Sequence, residues 1–425
     1  MADYKGIGTK CIQGGYSPEG GAPRITPIVQ STTYKYEDPD TVAGLFDLTV
    51  EGHMYSRISN PTVGVLEEKI ALLEGGVGAL GVSSGQAATL VALHNICNAG
   101  EHIVAAATLY GGTHTLLGSS FKKIGIDVTF IDPDASEDEI KKAFKDNTKA
   151  LFGETIGNPG MNILDFKKFS KIAKDMDVPL IIDNTLATPY LCRPIEHGAN
   201  IVIHSTTKFI DGHATCVGGI IVDGGNYNWN NGKFKGLSEP DESYHGLVYT
   251  ESFKESAYIV KARTHLLRDF GTTMSPFNAF LTNLGSETLH LRMQRHCENA
   301  LALAEFLQSH EMVSWVSYPG LLGTENNERA KKYLEKGFGA VLTFGIKGGV
   351  EAGKQFIKNI KLAALVVHLG DARTSVLHPA TTTHRQLSEQ EQIASGVSPD
   401  LIRVSVGIED IEDIISDFDQ ALKSI

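Results

Sequence analysis

The chain has 425 residues, 42% of them hydrophobic and 21% charged, with 44 glycines, 15 prolines and a formal net charge of -12. This is globular composition and, at roughly 100 to 200 residues per domain, enough chain for two or three domains with sizeable cores. The acidity argues against a surface that binds nucleic acid by neutralising phosphates, and no run of about 18 apolar residues offers a membrane span.

The opening residues Met1-Ala2-Asp3-Tyr4-Lys5-Gly6 lack the basic-then-apolar order of a signal peptide, so the cytoplasm is the expected compartment. Cys11, Cys97, Cys192, Cys216 and Cys297 are odd in number and widely spaced, with no Cys-x-x-Cys and no zinc-finger pattern. Reduced thiols and no metal site are expected.

In chain order, Asn60-Pro61 supplies a cap and a first-turn proline ahead of Leu66, Ile70 and Leu73 on one face, and Gly75-Gly76 can end that helix. Apolar runs then fall at 78–82, 102–106, 128–131, 149–153, 178–182, 201–204 and 219–222, separated by helical stretches. That alternation predicts a parallel sheet covered by helices. Ser136 and Glu139 form a capping box before Ile140, Ala143 and Phe144. Residues 224–253, rich in Gly, Asn and Ser, read as a long loop or insertion of the kind that often lies over an active site. A long helical stretch at 276–310 follows, then apolar runs at 341–344, 362–367 and 401–406 and an amphipathic helix from Glu409. Their order predicts a smaller C-terminal α/β domain.

Gly76-Val77-Gly78-Ala79-Leu80-Gly81 matches G-x-G-x-x-G, which would suggest a nicotinamide-dependent oxidoreductase. A dinucleotide fingerprint must follow a strand and open a helix, whereas this one follows a helix and opens a strand. The next turn fits an anion better. Ser83-Ser84-Gly85-Gln86 lies between the strand at 79–82 and a helix, where free backbone N–H groups and the positive end of the dipole meet. Asp183 ends the run at 178–182, placing a carboxylate in the crevice at a strand's carboxyl end, unless it only caps the following turn. Beyond 201–204 comes Ser205-Thr206-Thr207-Lys208-Phe209-Ile210-Asp211-Gly212-His213, a lysine flanked by hydroxyls. Such a lysine forms imines when burial or nearby positive groups keep its amine partly neutral.

The segment 205–213 resembles the lysine motif of the pyridoxal-phosphate enzymes of cysteine and methionine metabolism. Residues 55–62 (Tyr-Ser-Arg-Ile-Ser-Asn-Pro-Thr), 83–86, 109–113, 154–159, 183–185, 371–379 and 403–409 follow in that family's order, so the likeness covers nearly the whole chain. It implies a fold-type I α/β architecture: a large, mostly parallel seven-stranded sheet domain plus a smaller C-terminal α/β domain. The expected division is an arm at 1–63 reaching a neighbouring subunit, a cofactor-binding domain at 64–275 and a C-terminal domain at 276–425.

The resemblance also implies roles. Lys208 would link covalently to pyridoxal 5'-phosphate, and Asp183 would keep the pyridine nitrogen protonated. Tyr110 would stack on the ring and serve as acid or base. Ser84, Gly85, Gln86, Ser205 and Thr207 would hold the phosphate, and Asn158 would reach the ring oxygen. Arg403 would clamp the substrate carboxylate, unless it pairs with Glu409 or Asp410. Tyr55 and Arg57 would reach a neighbour's phosphate, with Tyr55 also near substrate, implying a dimer packed into a dimer of dimers. Asn200 and Ala214 depart from the motif, the first from an acid and the second from Gly or a small polar residue.

Within the family, Gly112 after Tyr110-Gly111, Gln86, the insertion, and 366–387 most resemble O-acetylhomoserine sulfhydrylases. The implied reaction makes homocysteine from O-acetylhomoserine and sulfide, with methionine γ-lyase or cystathionine-type activity as the alternative. His368 is expected to be a satisfied structural histidine, with tuning of acceptor access as its other reading.

Overall fold

The computed structural model describes residues 4–383, 385, 390 and 396–425. Asn60 caps helix α1 (Pro61–Glu74) by accepting the Thr62 N–H at 2.9 Å, proline occupies its first turn, and Gly75 closes it with φ 81°. The chain then enters β1 (Gly78–Val82), so 76–81 is a turn and a strand start, and the dinucleotide reading fails on position. Ser84 caps α2 (Gly85–His94) through a 3.1 Å bond from the Ala87 N–H.

Among the described residues, the first sheet comprises β1, β2 (His102–Ala106), β3 (Asp127–Ile131), β4 (Thr148–Glu154), β5 (Leu180–Asp183), β6 (Ile201–His204) and β7 (Gly219–Asp223). Their order is β1-β7-β6-β5-β4-β2-β3. Strands β3, β2, β4, β5 and β6 pair in parallel, and β7 runs antiparallel to both β6 and β1. The sheet is therefore mostly parallel, with one reversed strand. The carboxyl ends of β1, β2, β4, β5 and β6 share one rim, and the loops that follow them carry the candidate site.

The expected helix at 276–310 is two helices: α3 (Pro276–Glu287), which packs on α1, and α4 (Leu289–Ser309). Leu289, Met293 and Cys297 on α4 join the core of the first sheet, and Ala300, Leu303 and Leu307 join a second core, so one helix bridges both. The second sheet has the order β10-β11-β12-β9-β8. It adds β8 (Val313–Ser317) and β11 (Ser375–Leu377), unanticipated from sequence, to β9 (Val341–Ile346), β10 (Ala364–Leu365) and β12 (Leu401–Ser405). Only two residues of the run at 362–367 form strand, because its side chains are largely exposed and lack a core to alternate against. The closing helix α5 (Ile411–Lys423) buries Ile414, Phe418, Ala421 and Leu422. None of the helices among the described residues is long and apolar enough to cross a membrane, and all five cysteines are buried and unpaired.

The insertion does not start over the cleft. Asn226 Nδ2 donates to Ala199 O at 3.0 Å, Tyr227 OH to Asp177 O at 3.0 Å, and Lys233 Nζ to Met176 O at 2.8 Å. Those acceptors precede β5 and β6, at the amino rim. Trp229, Phe234 and Leu237 are buried there, and apolar burial of this size outweighs the loop-like polarity of the surrounding sequence. A cavity of about 290 Å³ lined by Asn95, Lys149, Phe234 and Lys261 lies on the same side.

Candidate active site

The anion cradle is built at the carboxyl end of β1. Ser84 Oγ takes the Ala87 N–H, and the amides of Gly85 and Gln86 at the N-terminus of α2 have no hydrogen-bond partner among the described residues. A Cβ on Gly85 would stand 2.6 Å from Ser205 Cβ, and one on Gly219 would stand 2.1 Å from Ser84 O. Glycine is required at both, because the turn after β1 and the segment after β6 pass at backbone distance. Ser205 Oγ faces Gly85 with no hydrogen-bond partner among the described residues, while its N–H is held by Thr185 Oγ1 at 2.8 Å. Thr207 differs from the expectation: its hydroxyl donates to Gly218 O at 3.1 Å and accepts the Gly218 N–H at 3.0 Å. To donate to a phosphate it must release that carbonyl.

Asp183 sits at the end of β5, directly beside Glu154 at the end of β4. Its Oδ1 accepts the Thr185 N–H at 2.9 Å, so the turn-capping reading holds for one oxygen while the side chain remains partly open to the cleft. Burial pushes its carboxyl above the usual range, against the hydrogen bonds of Thr185. A cationic ring nitrogen opposite it would reverse that shift.

Lys208 lies in the loop after β6, and burial together with the positive charge of Arg403 pushes its amine down to about 8. A sizeable neutral fraction therefore exists near neutral pH, as imine formation requires. The C-terminal domain delivers Arg403 from β12. Burial lowers its guanidinium to about 10, and Tyr110 partly offsets this. Arg403 NH2 donates to His368 O at 3.4 Å, and no carboxylate of the described residues pairs with it. Glu409, the alternative partner, is engaged by Thr374 through its N–H at 2.7 Å and its hydroxyl at 2.9 Å. The guanidinium fork thus remains available to a ligand carboxylate.

His368 departs from its structural reading. Its Nδ1 is 3.4 Å from Lys208 Nζ, and its Nε2 is buried without a hydrogen-bond partner among the described residues. The loop carrying it docks on the lysine segment through Ala372 N–H to Gly212 O at 2.9 Å and Arg373 NH2 to His213 O at 3.1 Å. Of the C-terminal motif, His384, Gln386 and Leu387 lie outside the described residues.

Tyr110 is half exposed over this cleft, and its N–H donates to Glu154 Oε1 at 2.7 Å. Gln86 reaches the same turn, with Nε2 donating to Thr113 Oγ1 at 3.3 Å. Asn158 is buried on the loop after β4. Tyr55 and Arg57 are not gathered with the others. Both are exposed; Arg57 stands 5.4 Å from the Tyr55 ring and donates to the Arg268 carbonyl. Sequence reasoning assigned no role to Glu154, although a carboxylate ending an apolar strand, as Asp183 does, is a visible signal.

A lysine of lowered pKa, an aspartate at the neighbouring strand end, an anion cradle and an unpaired arginine converge on one rim. The family model for Cys/Met metabolism PLP-dependent enzymes matches residues 8–423. The chain belongs to that family. It is 50% identical over 98% of its length to an O-acetyl-L-homoserine sulfhydrylase of Leptospira meyeri, covering 96% of that protein. It is 49% identical over 95% of its length to a homocysteine/cysteine synthase of Saccharomyces cerevisiae, covering 93% of it. A Campylobacter jejuni structure named as an O-acetylhomoserine (thiol)-lyase, bearing a pyridoxyl-lysine monophosphate, superposes with a TM-score of 0.94 at 36% identity, covering 98% of this chain and 99% of that one.

Pyridoxal phosphate is therefore the cofactor of this chain. The residues present suit it: the cradle that a Cβ at Gly85 would fill is backed by the Gly85 and Gln86 amides and the Ser205 hydroxyl, and the lysine and aspartate supply the other chemistry the group needs.

Proposed function

We propose that the enzyme catalyses γ-replacement on O-acetyl-L-homoserine, exchanging acetate for sulfide to give L-homocysteine, as a step in methionine biosynthesis. The observation that carries the chemistry is the amine of Lys208, lowered to about 8 by burial and the Arg403 charge, with His368 Nδ1 at 3.4 Å. The sulfhydrylase and homocysteine synthase names of the most similar relatives support the choice of acyl donor and sulfur acceptor.

The cofactor supplies an electron sink for negative charge generated at the substrate α-carbon. Arg403 fixes the α-carboxylate as a bidentate fork, which sets the α-hydrogen toward Lys208. Lys208, its amine free, would take the α-proton at Nζ. Removal of a β-proton by Tyr110, since Lys208 already carries the α-proton, then lets acetate leave from the γ-carbon with its bonding electrons. Hydrosulfide adds at that carbon, and the same two groups return protons to the β- and α-carbons. Acetate is a stable leaving group, so no strong acid is needed beside it. Asp183 would keep the ring nitrogen protonated. Ser84, Gly85, Gln86 and Ser205 would hold the phosphate, Thr207 would join them on releasing Gly218, and Asn158 would reach the ring oxygen.

Tyr55 and Arg57 serve a neighbouring subunit's site, with Tyr55 also close to that site's substrate. Support comes from the arm itself, where Ile25, Ile28, Phe46, Val50 and Tyr55 are exposed apolar side chains that a second copy would cover. We infer an arm at 1–63, a cofactor domain at 64–275 and a C-terminal domain at 276–425, assembled as a dimer of dimers. The unpaired buried thiols suit the cytoplasm.

Steady-state specificity tests the reaction. With acetyl- and succinyl-homoserine against sulfide, methanethiol and cysteine, the largest kcat/KM is expected for O-acetyl-L-homoserine with sulfide. Preference for cysteine, or elimination without added thiol as the main reaction, would overturn it.

A further inference from the structure

Two loops follow the neighbouring strands β2 and β4: residues 107–113 carry Tyr110, and residues 155–163 carry Asn158. They meet through Asn162 Nδ2, which donates to Thr108 Oγ1 at 3.1 Å, and the side chain that ends β4 reaches the backbone of Tyr110 itself. Glu154, the last residue of β4, is 7% exposed; its Oε1 accepts the Tyr110 N–H at 2.7 Å, and the backbone N–H of Asn158 lies close enough to favour its charged form. Tyr110 is the N-cap of the short helix Gly111–Thr115; its carbonyl accepts the His114 N–H at 2.9 Å, while its own N–H is held from outside that helix by Glu154. Glu154 also stands in register with Asp183 on β5. Burial and the neighbouring Asp183 charge raise its carboxyl well above the usual range.

We propose that Glu154 is a positioning residue for the cofactor. Its carboxyl holds the Tyr110 turn to the end of β4, beside the start of the Asn158 loop, and so sets where the Tyr110 ring lies over the site, without touching the reacting atoms. The inference depends on the cofactor and on Tyr110 lying against it, and is independent of which sulfur compound the enzyme uses.

Glu154→Gln keeps one acceptor oxygen but turns an N–H donor toward one of the two backbone donors; Glu154→Asp keeps the carboxyl and withdraws it by one methylene. Each variant is compared with wild type by thermal unfolding of the cofactor-free protein, by the Kd for pyridoxal phosphate, and by the induced circular dichroism of the bound cofactor, which reports ring orientation. A loss of roughly 10- to 100-fold in cofactor affinity, the size found when residues supporting a ligand are removed elsewhere, is expected for Gln, with a smaller loss for Asp. The dichroic band should change in the folded protein, and kcat should fall more than KM for O-acetyl-L-homoserine rises. An unchanged Kd and dichroic band in a folded variant, with only the melting temperature lowered, overturns the proposal. If Gln does not fold, Asp decides by the same two readouts. A failure of the sulfhydrylase reading would appear in the thiol panel and leave these cofactor readouts untouched.

Discussion

Two lysines at opposite rims of the large sheet have their amines pushed down to about 8, Lys208 at the carboxyl rim and Lys261 at the amino rim. Burial is the main cause for both. They differ in what surrounds the nitrogen. Lys261 Nζ donates to Asn95 O at 2.8 Å and lies 3.4 Å from Asn95 Oδ1, so it ties residues 261 and 95 together beneath the insertion. Lys208 Nζ has the His368 ring at 3.4 Å and the Arg403 charge nearby, and the cleft with Asp183 and the anion cradle lies before it. A depressed pKa makes an amine available; partners and access decide whether it becomes a nucleophile or a fastener.

The sharpest way to break this comparison is to remove each lysine in turn. Lys208→Ala should lower kcat by roughly 10⁴-fold or more, as loss of an acid–base group that also anchors the cofactor would. Lys261→Met should leave kcat/KM within about twofold and lower stability by about 1–3 kcal/mol, the cost of an unsatisfied buried Asn95 carbonyl, in denaturant unfolding. Equal losses of activity would erase the distinction. Arg403→Lys keeps the charge but loses the fork; kcat/KM for O-acetyl-L-homoserine should fall about 10- to 100-fold, mainly through KM. The charge environment can be read without turnover. In cofactor-free protein, acylation of Lys208 should rise with pH through a midpoint near 8, because the neutral amine accumulates above its pKa. Arg403→Gln should move that midpoint upward, since a nearby positive charge no longer favours the neutral form. Ala214 gives the smallest effect. It has φ 55°, a left-handed conformation, where the related motif has Gly or a small polar residue. Ala214→Gly should stabilise the fold by about 1 kcal/mol with activity unchanged.

The strands of the large sheet were readable because buried apolar runs ended at polar residues, so β1, β2 and β6 matched the sequence reading to the residue. Strand direction left no such mark: β7 is as apolar as its parallel neighbours. Asn200 proved a local fastener; its Oδ1 accepts the Leu180 N–H at 2.8 Å at the start of β5. The break between α3 and α4 falls at Thr288, three residues after Gly285 and without a proline, inside otherwise helical periodicity. β8 escaped notice because its side chains are partly exposed, and β11 because it has three residues.

The site was legible where one segment holds the chemistry, as in residues 205–208. It was not legible where function depends on a contact distant in sequence. Glu154 meets Tyr110 across 44 residues, and His368 meets Lys208 across 160. The insertion misled for a related reason: its glycines and asparagines signal loop, while Trp229 and Phe234 decide which rim it covers.

Borohydride reduction of the holoenzyme, followed by mass-spectrometric peptide mapping, tests the central claim most directly. The pyridoxyl group should be found on the peptide containing Lys208, with Lys261 unmodified. A pyridoxyl group fixed on Lys261 or another lysine, with Lys208 free, would contradict the account.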